Sequence, residues 1–414
     1  MIRPITIALL SATAAFAGDS WTQFRGPRQD GIADAKELPL EWSEQKNVKW
    51  KTAIPGEGWS SPLVANGQVW LTTALEGGQS LHAICVDLTT GKILHDVEVF
   101  RNPNPPAKHK RNSYASPTGI IDGENVFVHF GPMGTACLDA KSGSVRWENR
   151  DLAWDTQNGP GGSLTMWKDK LILACDGRDV QFEVALDKMT GKLAWKTPRS
   201  ARAQLDALPD DMRKAYGTPV LVQVDGRMQT VTTASNRMYA LDPATGAEQW
   251  YLDYPRGFSN VPLPVTDGKT LVLSTGFMKP QLLGYKLAGA KGNVTDSHLL
   301  WKQAAGAPDQ CSPIIVKDRV YVTTSGGILS CLNLANGEIV WKERVGTDFA
   351  ASPILADGRL YFFAAAGPCT VIEPGDTLKK LAENTLDAGC MASPAVVGKV
   401  LIVRTKTHLY RIEQ

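Results

Sequence analysis

The sequence predicts an all-β chain closed into a ring of eight four-stranded antiparallel blades, and three observations carry that expectation. The first is a repeat. ALDKMTGKLAW (Ala185 to Trp195) and ALDPATGAEQW (Ala240 to Trp250) each read as a strand end, a tight turn and a new strand, with looser copies at Cys85 to His95, Cys137 to Trp147 and Cys331 to Trp341. The second is a mark before each unit: Ser61-Pro62, Ser116-Pro117, Thr218-Pro219, Val261-Pro262, Ser312-Pro313, Ser352-Pro353 and Ser393-Pro394, with Ser163-Leu164 in the remaining place. These marks recur at roughly 40 to 55 residues, the length of a four-stranded blade. The third lies at the chain ends. Asn47 to Lys51 resembles the Trp-bearing fourth strand of a blade with no first three before it, while the unit that starts at Ser393 stops one strand short. The early strand therefore completes the last blade, which pairs two edges that would otherwise template aggregation. The predicted architecture is an eight-bladed β-propeller.

Local chemistry justifies each element. In the turns, Asp187 and Asp242 fold their carboxylates onto nearby amides, and Gly191 and Gly246 supply the positive φ that a Cβ resists. The following tryptophan needs a neighbour to cover it, because one hairpin cannot bury an indole alone. Trp50, Trp147, Trp195, Trp250, Trp301 and Trp341 are accordingly expected to dock blade against blade. Between mark and tryptophan the units alternate apolar and polar residues around Asn66-Gly67, Asp122-Gly123, Asp225-Gly226, Asp267-Gly268 and Asp357-Gly358, as strands joined by hairpin turns do.

Residues 1–17 carry Arg3, an apolar run from Ile5 to Phe16 and the small-x-small end Ala15-Phe16-Ala17, the pattern of a cleaved export signal and too short for a membrane anchor. No cysteine follows the run, so no lipid anchor is expected, and residues 18–414 are read as one domain of a soluble periplasmic or secreted monomer. The 414 residues are 43% hydrophobic and carry a formal charge of only +2, which argues against nucleic acid as the principal partner. The seven cysteines include no CxxC and no adjacent pair, and Cys85, Cys137 and Cys331 occupy the slot that Ala185 and Ala240 fill. Buried thiols acting as small hydrophobes are expected rather than a disulfide framework.

The connections between blades are unequal. Phe100 to Tyr114, Arg150 to Gly162 and Pro198 to Gly217 are long, whereas the later links are short. Long irregular loops commonly bind something. The candidate binding face is therefore placed over the first four blades, with Lys110, Arg111, Asn112, Tyr114, Asp155, Asn158, Asp176, Arg178, Asp179 and Gln181 as its residues. Within the third loop, Asp206 to Lys214 suggests a short helix with solvent-facing charges. Cys175 to Gln181 carries too few oxygen ligands for calcium, the six histidines show no zinc spacing, and no GxSxG is present. No catalytic or metal residue is assigned.

The AxDxxTGxxxW stretches resemble the repeats of the pyrroloquinoline-quinone (PQQ)-like propellers, over essentially the whole mature chain. That superfamily holds quinoprotein alcohol dehydrogenases and non-catalytic BamB-type proteins. Trp21 to Pro27, Asn112 to Pro117 and Cys175-Asp176-Gly177 are similar to a group of exported bacterial propellers within it. The resemblance implies either a binding scaffold for a protein, peptide or envelope glycan, or a PQQ-dependent oxidoreductase acting on alcohols or sugars with PQQ and calcium in a central funnel. The adjacent cysteines that such dehydrogenases place over the quinone are missing, so the scaffold is the favoured expectation and no cofactor residue is carried over.

Overall fold

Alternating strands bounded by Asn-Gly and Asp-Gly turns fold as four-stranded meanders, and this chain repeats the meander eight times. The computed structural model describes residues 20–414, so the expected export signal lies outside the described residues. Blade 1 starts at Leu63–Ala65, blade 2 at Ile120–Asp122, blade 3 at Thr165–Trp167 and blade 4 at Val220–Val224. Blades 5 to 8 start at Val265–Thr266, Ile314–Val316, Ile354–Ala356 and Ala395–Val397. Among the described residues, helix is confined to a single turn at Arg202–Asp206 and three short 3-10 segments.

The ring closes as the two chain ends predicted. Val48–Ala53 pairs antiparallel with His408–Ile412, Trp50 opposite Arg411, and so supplies the outer strand of blade 8. The core is divided among the seams. One cluster joins blades 1 and 2 through Leu81, Ala83, Val126 and Val128, another joins blades 3 and 4, and the largest joins blades 7, 8 and 1. All seven cysteines are free and buried.

Four of the tryptophans, Trp50, Trp147, Trp195 and Trp301, lie on the glycine turn of the next blade. A Cβ on Gly191 would stand 2.4 Å from the Trp147 ring, and one on Gly246 would stand 2.6 Å from that of Trp195. The indole N–H then donates to the turn backbone: Trp50 to Leu88 O at 3.0 Å, Trp147 to Lys188 O at 3.0 Å, Trp195 to Pro243 O at 3.1 Å and Trp301 to Leu334 O at 2.8 Å. Blade 1 has His95 in this slot, and its Nε2 lies 3.0 Å from Lys141 O. Trp250 differs because blade 5 has no such turn; it bonds Gln229 at 2.6 Å, and Gly292–Asn293 pairs alongside it as an extra strand on blade 4.

Candidate functional site

The inner strands face a central channel, and their first residues define its mouth. In six of the blades a side-chain hydroxyl accepts the backbone N–H of the blade before it. Ser61 donates to Thr118 Oγ1, Thr118 to Ser163 Oγ and Ser163 to Thr218 Oγ1, all at 2.9 Å. The ring resumes from Leu263 to Ser312, Ser312 to Ser352 and Ser352 to Ser393 at 2.9–3.0 Å. Two of the sequence marks are therefore out of register: the ring residue is Thr118 rather than Ser116 in blade 2, and Leu263 rather than Val261 in blade 5. Leu263 has no hydroxyl to offer blade 4. At the seam between blades 8 and 1, Arg404 is buried without a carboxylate and donates to Ser60 O at 3.0 Å and Oγ at 2.8 Å.

One end of the channel is stopped by the segment that contains Trp21 to Pro27. Trp21 pairs with Val64 of blade 1, Thr22 O accepts from Ile121 of blade 2, and Gln29 donates to Thr165 Oγ1 and Pro219 O of blades 3 and 4. Arg25 donates to Pro313 O and Pro353 O of blades 6 and 7, after which Ile32–Ala33 adds in parallel to the inner strand of blade 7. Proline suits these strand starts: it has no N–H to leave unpaired, and its carbonyl is free to accept. Burial pushes the Arg25 guanidinium down to about 10, so it stays charged at neutral pH, held mainly by carbonyls.

The result is a blind cup. Phe24, at the tip of the plug, lines a cavity of about 460 Å³ that opens on the face of the inter-blade loops. That volume lies within the range of about 300–1,000 Å³ usual for ligand pockets. Trp59, Tyr216, Phe258 and Phe277 supply aromatic wall, and the ring hydroxyls of Ser61, Thr118 and Ser163 also reach it.

The long loops are locked to one another. Asn112 Nδ2 donates to Asn158 O at 2.8 Å and Pro160 O at 2.9 Å, and Tyr216 Oη donates to Thr156 O at 2.6 Å. Ser259 N donates to Lys214 O at 2.8 Å, which extends the collar to the link between blades 4 and 5. Arg111 crosses the mouth and meets Asp348, in the link between blades 6 and 7, at 2.5 Å.

Of the residues singled out from sequence, Arg111, Asn112 and Asn158 line the cavity, and Lys110 is exposed beside them. Asp155, Arg178 and Asp179 form a separate lock, in which Arg178 pairs with Asp155 and the Asp155 amide donates to Asp179 at 2.9 Å. The Arg178 guanidinium holds the Asp155 carboxyl below its ordinary value. Three others serve the scaffold. Tyr114 is buried and donates to Pro106 O at 2.8 Å; Gln181 is buried and donates to Gly177 O at 2.7 Å. Asp176 is buried and gripped at both oxygens by Arg199, at 2.9 and 2.8 Å, which also reaches Glu183 at 3.0 Å. Burial pushes the Glu183 carboxyl up. The short helix ends at Asp206, and Lys214 is not solvent-facing: it is buried against Asp211, beneath Phe258.

The cavity was missed on its far side. Phe258, Val261 and Phe277 line it there, and the apolar Phe277-Met278 pair inside the Gly276 to Pro280 turn was the available signal, because turns of this kind usually carry polar residues.

Nothing in the donor set assembles a calcium site. Asp309 already accepts from Ser325, Asp211 from Lys214 and Asp348 from Arg111, and among the described residues no cluster of three His, Cys, Asp or Glu side chains could hold a metal ion. Among the described residues no helix is long and apolar enough to cross a membrane.

A family model described as outer membrane protein assembly factor BamB matches residues 34–180 and 178–414. No curated protein matches in sequence. Among solved structures, BamB from Moraxella catarrhalis is similar at 14% identity and a TM-score of 0.61, over 88% of this chain and 99% of that one. A europium-containing methanol dehydrogenase is similar at 13% identity and a TM-score of 0.67, over 94% and 90%. The quinohemoprotein alcohol dehydrogenase of Comamonas testosteroni is similar at 12% identity and a TM-score of 0.69, over 97% and 81%. At such identities the likeness is one of fold.

Proposed function

The chain belongs to the family that this BamB model defines, and on that premise we propose that it is an exported, non-catalytic propeller that holds a protein partner on its funnel face. The observation that supports this reading is the blind cup inside a preformed collar. The loops are bonded to each other, the channel behind them is stopped by the chain's own N-terminal segment, and the acids at the mouth are already paired. Side chains committed to such bonds are scaffold rather than poised acids, bases or nucleophiles. Export rests on the expected signal at residues 1–17, and the protein is read as a monomer outside the cytoplasm.

A photo-crosslinking amino acid at Met278, beside the cavity, tests the reading against the same substitution at Met189, in a turn on the opposite face. Partner adducts are expected from position 278 alone. Equal adducts from both positions, or none from 278, overturn it.

The structural likeness to quinoprotein dehydrogenases favours a second reading, a PQQ-dependent oxidoreductase. Purified protein given PQQ and calcium discriminates the two. Saturable quinone absorbance with dye reduction by alcohols would replace the scaffold reading.

A further inference from the structure

We propose that the funnel takes an acidic segment of the partner, which seats an apolar side chain in the cup and sets a carboxylate on Arg111. This rests on the partner reading and goes further by naming the chemistry of the contacting segment.

One lip is apolar. Val261, Phe277 and Met278 are 42%, 49% and 69% exposed. Phe277 meets Phe258 edge to face at 6.1 Å, and the cavity runs from there to Phe24 at its floor. Single exposed hydrophobic residues are ordinary, but several together beside a cavity mark an interaction site.

The charge at the mouth is unbalanced. Asp348 is matched by Arg111, Asp211 by Lys214 and Asp155 by Arg178, whereas Asp309 in the lining has no cation among the described residues and accepts from Ser325. Lys110, Arg256 and Lys279, each within two residues of the lining, make no ion pair among the described residues. Arg111 spends one terminal nitrogen on Asp348, while its buried Nε has no acceptor. The Arg111 side chain is 38% exposed, and a carboxylate on the open edge of the guanidinium would add a charge-assisted bond there. An apolar anchor flanked by acids fits both features, and a basic segment fits neither.

Three fluorescein-labelled pentapeptides test this on the full chain: DEFED, KRFRK and DESED, read by fluorescence anisotropy. DEFED alone is expected to bind, less tightly as salt rises. Phe277→Ser and Arg111→Gln are each expected to weaken it roughly tenfold, while Met189→Ser leaves it unchanged. Phe277 and Met189 are exposed, so these variants keep their folded melting temperature.

Equal binding of KRFRK or DESED overturns the proposal, as does DEFED binding that Phe277→Ser and Arg111→Gln leave unmoved. Occupancy by PQQ or by an amino-sugar oligosaccharide, with no DEFED binding, assigns the cup to another ligand and also overturns it. A partner captured through position 278 together with no DEFED binding removes this inference and leaves the partner reading standing.

Discussion

The guanidinium of Arg25 donates to the carbonyl of Pro313, 288 residues further along the chain, at 2.9 Å. It donates also to Pro353 O at 3.2 Å and Asp30 O at 2.8 Å, so one side chain ties the plug to blades 6 and 7. Arg25→Met keeps the volume and removes all three bonds. Hydrogen bonds from a charged donor are worth about 1.5–3 kcal/mol each, and relief of the buried charge offsets part of the loss. We expect a net destabilisation of about 3 kcal/mol, read as a lower denaturant midpoint, with faster proteolysis near Gly26 to Gly31. Arg25→Lys should restore little of it, because a point charge cannot serve three carbonyls set around a fork. A midpoint unchanged in Arg25→Met would show that the plug contributes nothing to the ring.

Ser352 carries two ring bonds, accepting from Ser312 N at 3.0 Å and donating to Ser312 Oγ at 3.1 Å. Both residues are buried. Ser352→Ala strands the Ser312 amide and is expected to cost about 1–3 kcal/mol. Ser116→Ala, at the position that the Ser-Pro pattern suggested for blade 2, breaks bonds only within its own loop, to Asn112 and Ser113. It should cost less in the same chemical denaturation. The reverse order would mean that the ring of hydroxyls does not hold the blades together.

Gly191 and Gly226 share a positive φ, +69° and +79°, but differ in what lies above them. A Cβ on Gly191 meets the Trp147 ring at 2.4 Å, whereas one on Gly226 meets nothing within 4 Å. Gly226→Ala should cost about 1 kcal/mol, the left-handed backbone penalty alone. Gly191→Ala adds displacement of the indole and is expected to cost about 2–4 kcal/mol, with a change in tryptophan fluorescence. Equal costs would separate the docking of Trp147 from the stability of the seam between blades 2 and 3.

What was legible in the sequence was local or periodic. The Asp187 and Gly191 turn, the tryptophans and the Val48–Ala53 strand are each specified within a dozen residues, and repetition made them countable. What escaped was set by contacts across the ring. The two-residue displacement at Thr118 and Leu263 is defined only by which backbone N–H meets a hydroxyl of the next blade. The role of Trp21 to Pro27 depends on carbonyls in blades 6 and 7 that no local pattern announces. In the candidate face, Arg111 and Asn158 reached the cavity, but Asp176 did not, because its burial follows from Arg199, which packs against it from the next loop.

His129 sets the expected acid response. It is 2% exposed, its Nδ1 lies 2.8 Å from Thr135 Oγ1, and its ring stacks on Trp154 at 6.3 Å. Burial without a carboxylate partner pushes its pKa down from 6.5 to about 3. Between those values the unfolded chain binds a proton that the folded chain refuses, so stability is lost as pH falls through that window, by up to about 1.4 kcal/mol per pH unit. Glu183 acts with the opposite sign. Its carboxyl is raised by burial, so the fold gains as pH falls from the raised value towards the ordinary 4.5. His129→Gln should therefore flatten the loss between pH 6.5 and 4, and Glu183→Gln should steepen it, in urea titrations at fixed ionic strength. Parallel pH profiles for the wild type and His129→Gln would place the acid sensitivity elsewhere in the ring.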